Sequence, residues 1–309
     1  MSTKIKMPRS FGKISEHLVK ELSPLLDARV IQILVLRQTH DYSIFRTEES
    51  RELNTVVIPE SIESEDPAVK VAFLASKQKA VENRMYSRLL RTVKDYDCVL
   101  KVEEGLCLEC PRCVLFGGVS TKQKEFNIKH RIEYSTAFSI EPYEELLETI
   151  TFNAVIENTQ LTGQALNITH NVKPLANFPS VITLNSVSWE ELVLYIKALI
   201  ASKSYGAETR TKGDVRNAIL GIVAGYEEVI TSLEYSLELA ANWESDLKEE
   251  TEKILKKYAD LSASRRDVVV LSAEETRDLV SEIQDLKLDK SLVDSLDKKT
   301  QGFVKAAKQ

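Results

Sequence analysis

Four cysteines are the residues whose chemistry is clearest from the sequence. Cys107, Cys110 and Cys113 follow one another with two residues between each pair, and Cys98 is the nearest further thiol. Thiolates at this spacing can reach one Zn²⁺ ion from a tight turn, and a structural zinc site takes four ligands in a tetrahedron. We therefore predict one structural zinc site, whose ligands are Cys98, Cys107, Cys110 and Cys113.

Other interpretations of the cysteines stay open at this point. His17 and His130 are alternatives to Cys98 as the fourth ligand. The thiols could instead be reduced and buried, in which case they behave as small apolar side chains. An iron–sulfur cluster is a third interpretation, although no redox partner motif accompanies the cysteines. Four cysteines within sixteen positions are more typical of metal binding in a reducing compartment than of a disulfide framework.

Basic residues cluster in three stretches of the chain, after the cysteines, near residues 203–216 and in the polar segment after the first strand. Phosphates bind cationic side chains without base contacts, and aromatic residues among them suit single strands. We predict that these cations converge on one face and hold a nucleic-acid strand; the alternative for any one of them is an ordinary solvated surface. The candidate contacts are Arg46, Arg51, Gly117, Gly118, Lys122, Lys124, Lys129, Arg131, Lys203, Tyr205, Gly206, Arg210, Lys212 and Arg216.

Motifs for catalysis are sparse. The sequence has no Walker loop, no HExxH motif and no Ser-His-Asp order. Asp41 and Glu48 lie in a polar segment after an apolar strand, where a metal-assisted phosphodiesterase could place its acids around Mg²⁺. The alternative is that both are loop carboxylates that face water. The sequence therefore leaves open whether the protein is an enzyme.

Composition sets limits on the class of protein. The chain has 309 residues and 43% hydrophobic residues, enough for one elaborated domain or two small ones. Its net charge of -6 argues against coating of nucleic acid by bulk positive charge, but screening beyond the Debye length allows a local basic groove. No apolar run is long enough to cross a bilayer, and the N-terminus lacks the apolar part of a secretory signal. We expect a cytoplasmic protein with no membrane partner.

The order of elements predicts an antiparallel α+β fold. Residues 28–38 form an apolar run typical of a buried central strand. Ser188 is a good cap for a helix that runs to Ser202, and residues 222–255 have the pattern of a helix. The order strand, helix, strand, strand, helix, strand would be produced by an RRM-like (ferredoxin-like) antiparallel sheet with two helices.

Five segments together resemble the backbone subunit of the type I-D CRISPR Cascade effector complex, a family in the repeat-associated RRM-fold superfamily of CRISPR proteins. They are CPRCVLFGGV, IKHRIEYSTAFSIEP, ITFNAVIENTQLTGQAL, FPSVITLNSVSWEELVL and SYGAETRTKGDVRNAILGI. The resemblance spans roughly residues 28–235 in order, so it is more specific than any single motif.

The resemblance implies an RRM-like palm with a zinc-binding insertion, a hairpin thumb and additional C-terminal helices. The palm would occupy residues 1–235 and the C-terminal helical extension residues 236–309. Within the palm, residues 158–178 are the candidate thumb hairpin, and residues 39–54 compete for that role. The two further insertions would be a polar loop at 39–67 and a helical and zinc-binding segment at 68–130.

The same resemblance implies that copies of the chain stack head to tail along one CRISPR RNA, which then pairs with target DNA. Further partners would be the other Cascade subunits, namely the large, small, 5′-handle and 3′-end subunits. Some relatives cut target RNA with an aspartate in a loop near the first strand, and Asp41 lies in a comparable loop. A metal-dependent nuclease that cuts single-stranded target at regular intervals is therefore the alternative function. A zinc-bearing interaction protein without a nucleic-acid role is a third hypothesis, against which the basic clusters argue.

Overall fold

The computed structural model describes residues 6–47, 52–99, 105–120, 126–156, 161–208 and 212–309, and for 152–156 and 161–167 it describes the backbone alone. The strands are β1 (Val30–Thr39), β2 (Thr55–Pro59), β3 (Pro67–Phe73), β4 (Ile132–Tyr134), β5 (Ala137–Pro142), β6 (Leu147–Ile156), β7 (Leu161–Val172), β8 (Asn177–Asn185), β9 (Val215–Gly225) and β10 (Val269–Val270). The α-helices are α1 (Ala75–Val93), α2 (Pro111–Phe116), α3 (Tyr143–Leu146), α4 (Trp189–Ala201), α5 (Ser232–Ala241), α6 (Leu247–Leu261), α7 (Ala273–Asp285) and α8 (Lys290–Ala307). Short 3₁₀ helices span Arg9–His17 and Arg265–Asp267. In the described part of the chain, no helix is both long enough and apolar enough to cross a bilayer.

The strand β1 lies in the middle of a five-stranded antiparallel sheet with the order β10-β9-β1-β8-β4. It pairs with β8 from Val30, opposite Asn185, to Gln38, opposite Asn177. On its other side it pairs with β9, with a register shift between Leu34 and Val35. The apolar residues of β1 are buried on both faces, which is why they barely alternate with polar residues in the sequence. The prediction of a mixed α/β fold with antiparallel pairing is confirmed.

Helices cover both faces of this sheet. Alternate side chains of a strand point to opposite faces, so Ile33 and Val35 enter the larger core, to which α1, α4, α7 and α8 contribute. Leu34 lies on the opposite face, in a second core with Tyr235 of α5 and Ile254 of α6. The sheet therefore has a helical layer on each side, and both layers exclude water from its centre.

Two smaller sheets adjoin the central one. The sheet β2-β3-β5 packs a third apolar cluster, in which Phe45 stacks on Phe73 at 4.1 Å between ring centroids and Phe178 meets both rings edge-on. Strands β6 and β7 form a separate two-stranded hairpin. At the base of this hairpin, Ser43 pairs with Val172, which joins the hairpin to the segment after β1.

Two assignments from the sequence differ from the structure. Residues 222–225 belong to β9, and the predicted helix is replaced over its remaining length by α5, α6 and the turns before them. A short apolar run fits a buried strand as well as a helix, so periodicity could not separate the two. The strands of the hairpin cover Leu147–Ile156 and Leu161–Val172, whereas the candidate thumb hairpin was placed at 158–178.

Candidate metal centre and nucleic-acid surface

The four cysteines lie together at the start of α2. Their sulfur atoms are all within 4.8 Å of one another. The Sγ of Cys113 is 3.6 Å from the Sγ of Cys98 and 3.8 Å from the Sγ of Cys107. Ligands placed about 2.3 Å from a tetrahedral zinc ion are about 3.8 Å apart. The four thiols could therefore hold one metal ion, and within the described ranges no other group of three or more His, Cys, Asp or Glu side chains is close enough to do so.

The local backbone explains how three of these thiols meet. Leu108 has a left-handed conformation, with φ of 56°, and this turns the chain between Cys107 and Cys110. The N–H of Glu109 donates a hydrogen bond to the Sγ of Cys107 at 3.5 Å. Cys110 is the N-cap of α2, which carries a proline in its first turn, where the missing N–H has no intrahelical partner. Cys113 follows three residues later, so its side chain returns to the same side of the helix.

Protonation of the thiols fits a metal-binding role. Hydrogen bonds with the neighbouring thiols, that of Cys107 first, lower the pKa of Cys98. Hydrogen bonds with Cys110 and then Cys113 lower the pKa of Cys107 to about 6. The pKa values of Cys110 and Cys113 are raised, mainly by their hydrogen bonds with Cys107. Since thiolates are the metal ligands, metal binding would release the protons that these thiols carry.

The two histidines considered as ligands lie outside this group. His17 is buried against Tyr226, with 5.1 Å between ring centroids, and His130 is exposed after the pairing of Gly118 with Ile128. The sulfur of Cys98 is the fourth donor in the cluster.

The glycine pair after α2 supports contacts within the protein. Gly117 has a φ of 82°, and a Cβ there would lie 2.9 Å from the backbone nitrogen of His130. A Cβ on Gly118 would lie 2.6 Å from the side chain of Leu108, next to the cysteines. The close approach that glycine permits here is between the cysteine turn and the following segment.

Arg131 is buried and holds two helices together. It is therefore not on a surface that a nucleic-acid strand could contact. Its side chain is 1% exposed and pairs with both carboxylate oxygens of Glu191. It also donates to the carbonyl oxygens of Val114 at 3.1 Å and Ser186 at 2.9 Å. Glu191 at the same time closes the capping box of α4 with Ser188. Arg131 therefore joins α2 to the start of α4.

Three segments meet at the end of the central sheet where β1 finishes and β9 begins. The N–H of Gly213 donates to the carbonyl of Tyr42 at 2.7 Å, and the N–H of Ala207 donates to the carbonyl of Ile44 at 3.1 Å. The base of β7 joins them through the pairing of residues 43 and 172. We call the polar residues carried here the loop surface. Its members are Asp41, Arg46, Lys203, Lys212 and Arg216.

Side chains on the loop surface differ in their exposure and partners. Lys203 is exposed, and Arg216 is half-exposed with its guanidinium 3.7 Å from Asp214. Lys212 is largely covered, with its Nζ 3.4 Å from a carboxylate oxygen of Glu208 and 3.2 Å from the amide oxygen of Asn171. The side chain of Arg46 is partly buried.

Gly206 and Tyr205, two other predicted RNA contacts, lie beneath the loop surface and hold its backbone in place. Gly206 has a φ of 87°, and a Cβ there would lie 2.6 Å from the carbonyl oxygen of Ile44. Glycine is therefore needed for this close approach of the two loops. Tyr205 is fully buried, so its role is to anchor the loop, and the expected direct contact with RNA does not fit its position.

Tyr205 belongs to a buried polar network that no pattern in the sequence predicted. Arg37 pairs with Glu82 of α1 at 2.7 Å, and the hydroxyl of Tyr205 donates to the same carboxylate at 3.0 Å. Tyr195 and Tyr134 donate to its other oxygen at 2.6 Å and 2.8 Å. Burial opposes the charge on Arg37, but Glu82 beside it holds the pKa of the guanidinium above its ordinary value. The one signal in the sequence was an arginine directly after the apolar residues 33–36 of β1.

The remaining predicted residues fall into two groups. Lys129 is exposed beside His130, away from the three segments that form the loop surface. Arg51, Lys122, Lys124, Arg210 and Glu48 lie outside the described residues. The carboxylate of Asp41 accepts a hydrogen bond from the N–H of Tyr42 at 2.7 Å. The cations therefore occupy more than one region, and the loop surface brings together those of two distant segments, the one after β1 and residues 203–216.

Known proteins resemble this chain in fold more than in sequence. No curated protein has a significantly similar sequence. The crystal structure of Thermofilum pendens Csc2 is similar, with a TM-score of 0.69, 20% sequence identity and 97% of each chain covered. A chain of a CRISPR RNA-guided surveillance complex, pre-nicking, has a TM-score of 0.50 at 11% identity and covers 75% of this chain and 86% of its own. These likenesses show a shared fold.

The family assignment rests on the sequence itself. A family model described as Csc2 CRISPR matches residues 17–300, which is most of the chain. The expectation of a CRISPR protein is thereby confirmed, and the chain belongs to the Csc2 CRISPR family.

Proposed function

We propose that the protein is a guide-RNA-binding backbone subunit of a type I-D CRISPR interference complex, in which copies assemble along one CRISPR RNA and present it for pairing with target DNA. The observation that carries the proposal is the loop surface, where cations from two segments far apart in sequence, the segment after β1 and residues 203–216, meet at one end of the sheet. Because the chain belongs to the Csc2 CRISPR family, the nucleic acid in this proposal is CRISPR RNA.

The palm in this proposal is RRM-like. Four strands have the order β9-β1-β8-β4, with α1 between β1 and β4 in sequence and α4 between β8 and β9. This is the antiparallel arrangement expected of a split βαβ fold, with β10 added at one edge. The sheet face opposite α1 and α4 is covered by α5 and α6. The strand ends and their loops are therefore the part of the palm that remains for RNA.

A row of polar side chains borders the loop surface and fits this role. Asn177, Gln38 and Arg216 lie opposite one another on β8, β1 and β9. The amide of Gln38 donates to the amide oxygen of Asn177 at 2.9 Å, and the ring of His40 contacts Gln38 at 3.2 Å. Asn177 is buried and donates to the carboxylate of Glu141 at 2.6 Å and to the carbonyl of Leu175 at 2.8 Å, so the neutral groups left beside the cations are those of Gln38 and His40.

In the proposal the cysteine cluster is a structural zinc site in the insertion, and Cys98, Cys107, Cys110 and Cys113 are its ligands. The spacing of the sulfur atoms and the set of four thiol ligands support zinc. Zinc would supply a fixed tetrahedral link between the segment after α1 and α2. Arg131 extends that link to α4 by its hydrogen bond to Val114.

The hairpin β6–β7 is the candidate thumb. Among the described residues, its two strands form a sheet only with each other. An isolated β-bridge joins the base of the hairpin to the segment after β1. A thumb at this position would reach toward the RNA held by the loop surface of the same or the next copy. The head-to-tail assembly, the other Cascade subunits and the cytoplasmic location belong to the same proposal.

Charge reversal on the loop surface tests the proposal. Lys203→Glu combined with Arg216→Glu should weaken binding of the CRISPR RNA at fixed salt and lower the slope of log K against log salt by about 1.4, since each phosphate contact on a single strand contributes about 0.7. Lys253→Glu with Lys256→Glu on α6 is the matched control, with the same change in charge on a distant helix. Equal RNA affinity of the test and control variants would contradict the proposal.

The nuclease remains the alternative to a purely binding role. The carboxylate of Asp41 is on the loop surface but accepts a hydrogen bond from its own loop. Cleavage of single-stranded target by the assembled complex with Mg²⁺, measured with and without Asp41→Ala, separates the two. Our proposal expects no cut that depends on Asp41.

A further inference from the structure

The outward face of α1 carries a line of cations that the loop surface does not include. Lys77, Arg84, Arg88 and Arg91 are separated by seven, four and three residues. At 3.6 residues per turn these positions fall within an arc of roughly 60°, and they span about 21 Å along the helix axis. Arg84, Arg88 and Arg91 are exposed. We call these four residues the α1 stripe.

The stripe lies opposite the buried face of the helix. That face carries Gln78, Glu82, Tyr86 and Leu90, each one turn from the next. Glu82 is the single acidic residue of α1, and its carboxylate is engaged by Arg37 and three tyrosines in the core. The outward face of α1 therefore presents positive charge without any acidic side chain of the same helix.

The stripe also lacks the ion pairs that neutralise other helices of this protein. On α6, Lys253 lies 3.1 Å from Glu250 and Lys256 lies 2.6 Å from Glu252. Among the described residues, no carboxylate is within ion-pair distance of the α1 stripe. Like charges three or four residues apart destabilise a helix, so the arrangement is unfavourable unless a polyanion binds it. In a chain with a net charge of -6, bulk composition does not account for it.

We infer that the α1 stripe binds the sugar–phosphate backbone of a second nucleic-acid strand, separate from the strand held by the loop surface. Arginines on a straight helix can each pair with a phosphate, and such contacts do not depend on base sequence. This binding adds to the proposed function but is not required by it, because the two surfaces lie on different elements.

The test neutralises three arginines. Arg84→Gln, Arg88→Gln and Arg91→Gln together keep helix propensity, since glutamine and arginine are similar helix formers. The matched control is Lys290→Gln, Lys298→Gln and Lys305→Gln, three exposed lysines on α8. The probes are a thirty-nucleotide oligothymidylate and a duplex of the same length, followed by fluorescence anisotropy at several salt concentrations, with circular dichroism to compare the folds.

We expect the stripe variant to lower the salt slope by about 2 for the single strand or about 3 for the duplex, at three contacts of 0.7 or 0.9 each, while the control keeps the wild-type slope. Equal slopes for the stripe and control variants would overturn the inference. Loss of self-association in sedimentation, with nucleic-acid binding unchanged, would also overturn it, because the stripe would then bind a second copy. The Lys203→Glu and Arg216→Glu variant, measured in parallel, reports on the proposed function alone.

Discussion

Replacement of Arg131 by methionine distinguishes a buried clamp from an RNA contact. Methionine keeps much of the aliphatic volume but removes the charge that faces Glu191 and the donors that reach the carbonyls of Val114 and Ser186. Glu191 would keep one backbone donor, the N–H of Ser188 at 3.1 Å. Its carboxylate would then be a buried charge without a counterion.

The expected loss follows from this burial. Removal of one partner of a buried ion pair destabilises a protein by about 3–5 kcal/mol, a large part of a typical folding free energy of about 5–15 kcal/mol. A second change, Glu191→Gln, removes the stranded charge and should restore about 1–3 kcal/mol of it. The amide of glutamine can still accept from Ser188, so the cap of α4 is retained in part.

Urea unfolding followed by tryptophan fluorescence measures these values, since Trp189 begins α4 next to the clamp. Lys129→Met is the control, because it removes an exposed charge two residues away and should change stability by less than about 0.5 kcal/mol. The reasoning is refuted if Arg131→Met is as stable as this control and binds RNA as weakly as the loop-surface variant does.

Two further predictions concern the metal and pH. Removal of metal by a chelator should lower the melting temperature by about 5 °C or more and loosen α8, which packs on α2. The Cys113→Ala variant should have this lower melting temperature without chelator, and a chelator should not lower it further. Burial lowers the pKa of His17, helped by Arg29 and opposed by the backbone of Gly225 and the acids Glu16 and Asp267. Because the unfolded chain takes up a proton at a higher pH than the folded one, the free energy of unfolding should fall as pH drops below about 6.5, and His17→Gln should remove this part of the decrease in urea titrations between pH 5 and 7.5.

The cysteine cluster was predictable because its information is local. Cys107, Cys110 and Cys113 are close in sequence, and a turn plus the first turn of a helix brings their sulfur atoms together. Cys98 needed a longer return of the chain, yet it was the nearest remaining thiol. The central strand β1 was predictable for a similar reason, because burial on both faces gives a mostly apolar segment with little alternation.

Roles set by distant contacts were not predictable in the same way. Arg131 and Tyr205 looked like surface residues because each stands in a basic or polar segment. Their partners, Glu191 and Glu82, lie 60 and 123 positions away in the chain. Whether a charged or hydroxyl side chain is buried depends on such a partner, and no local pattern reports it.

The covered sheet is the reason that the proposed RNA contacts lie at the strand ends. In an open RRM-like sheet, aromatic side chains on the free face stack on bases. Here that face carries Leu34, Val181 and Val223, which pack against α5 and α6. Bases cannot reach them without removal of both helices, so any strand must follow the loops and the outer helices. An acidic chain can do this because only those borders, namely the loop surface and the α1 stripe, need to be positive.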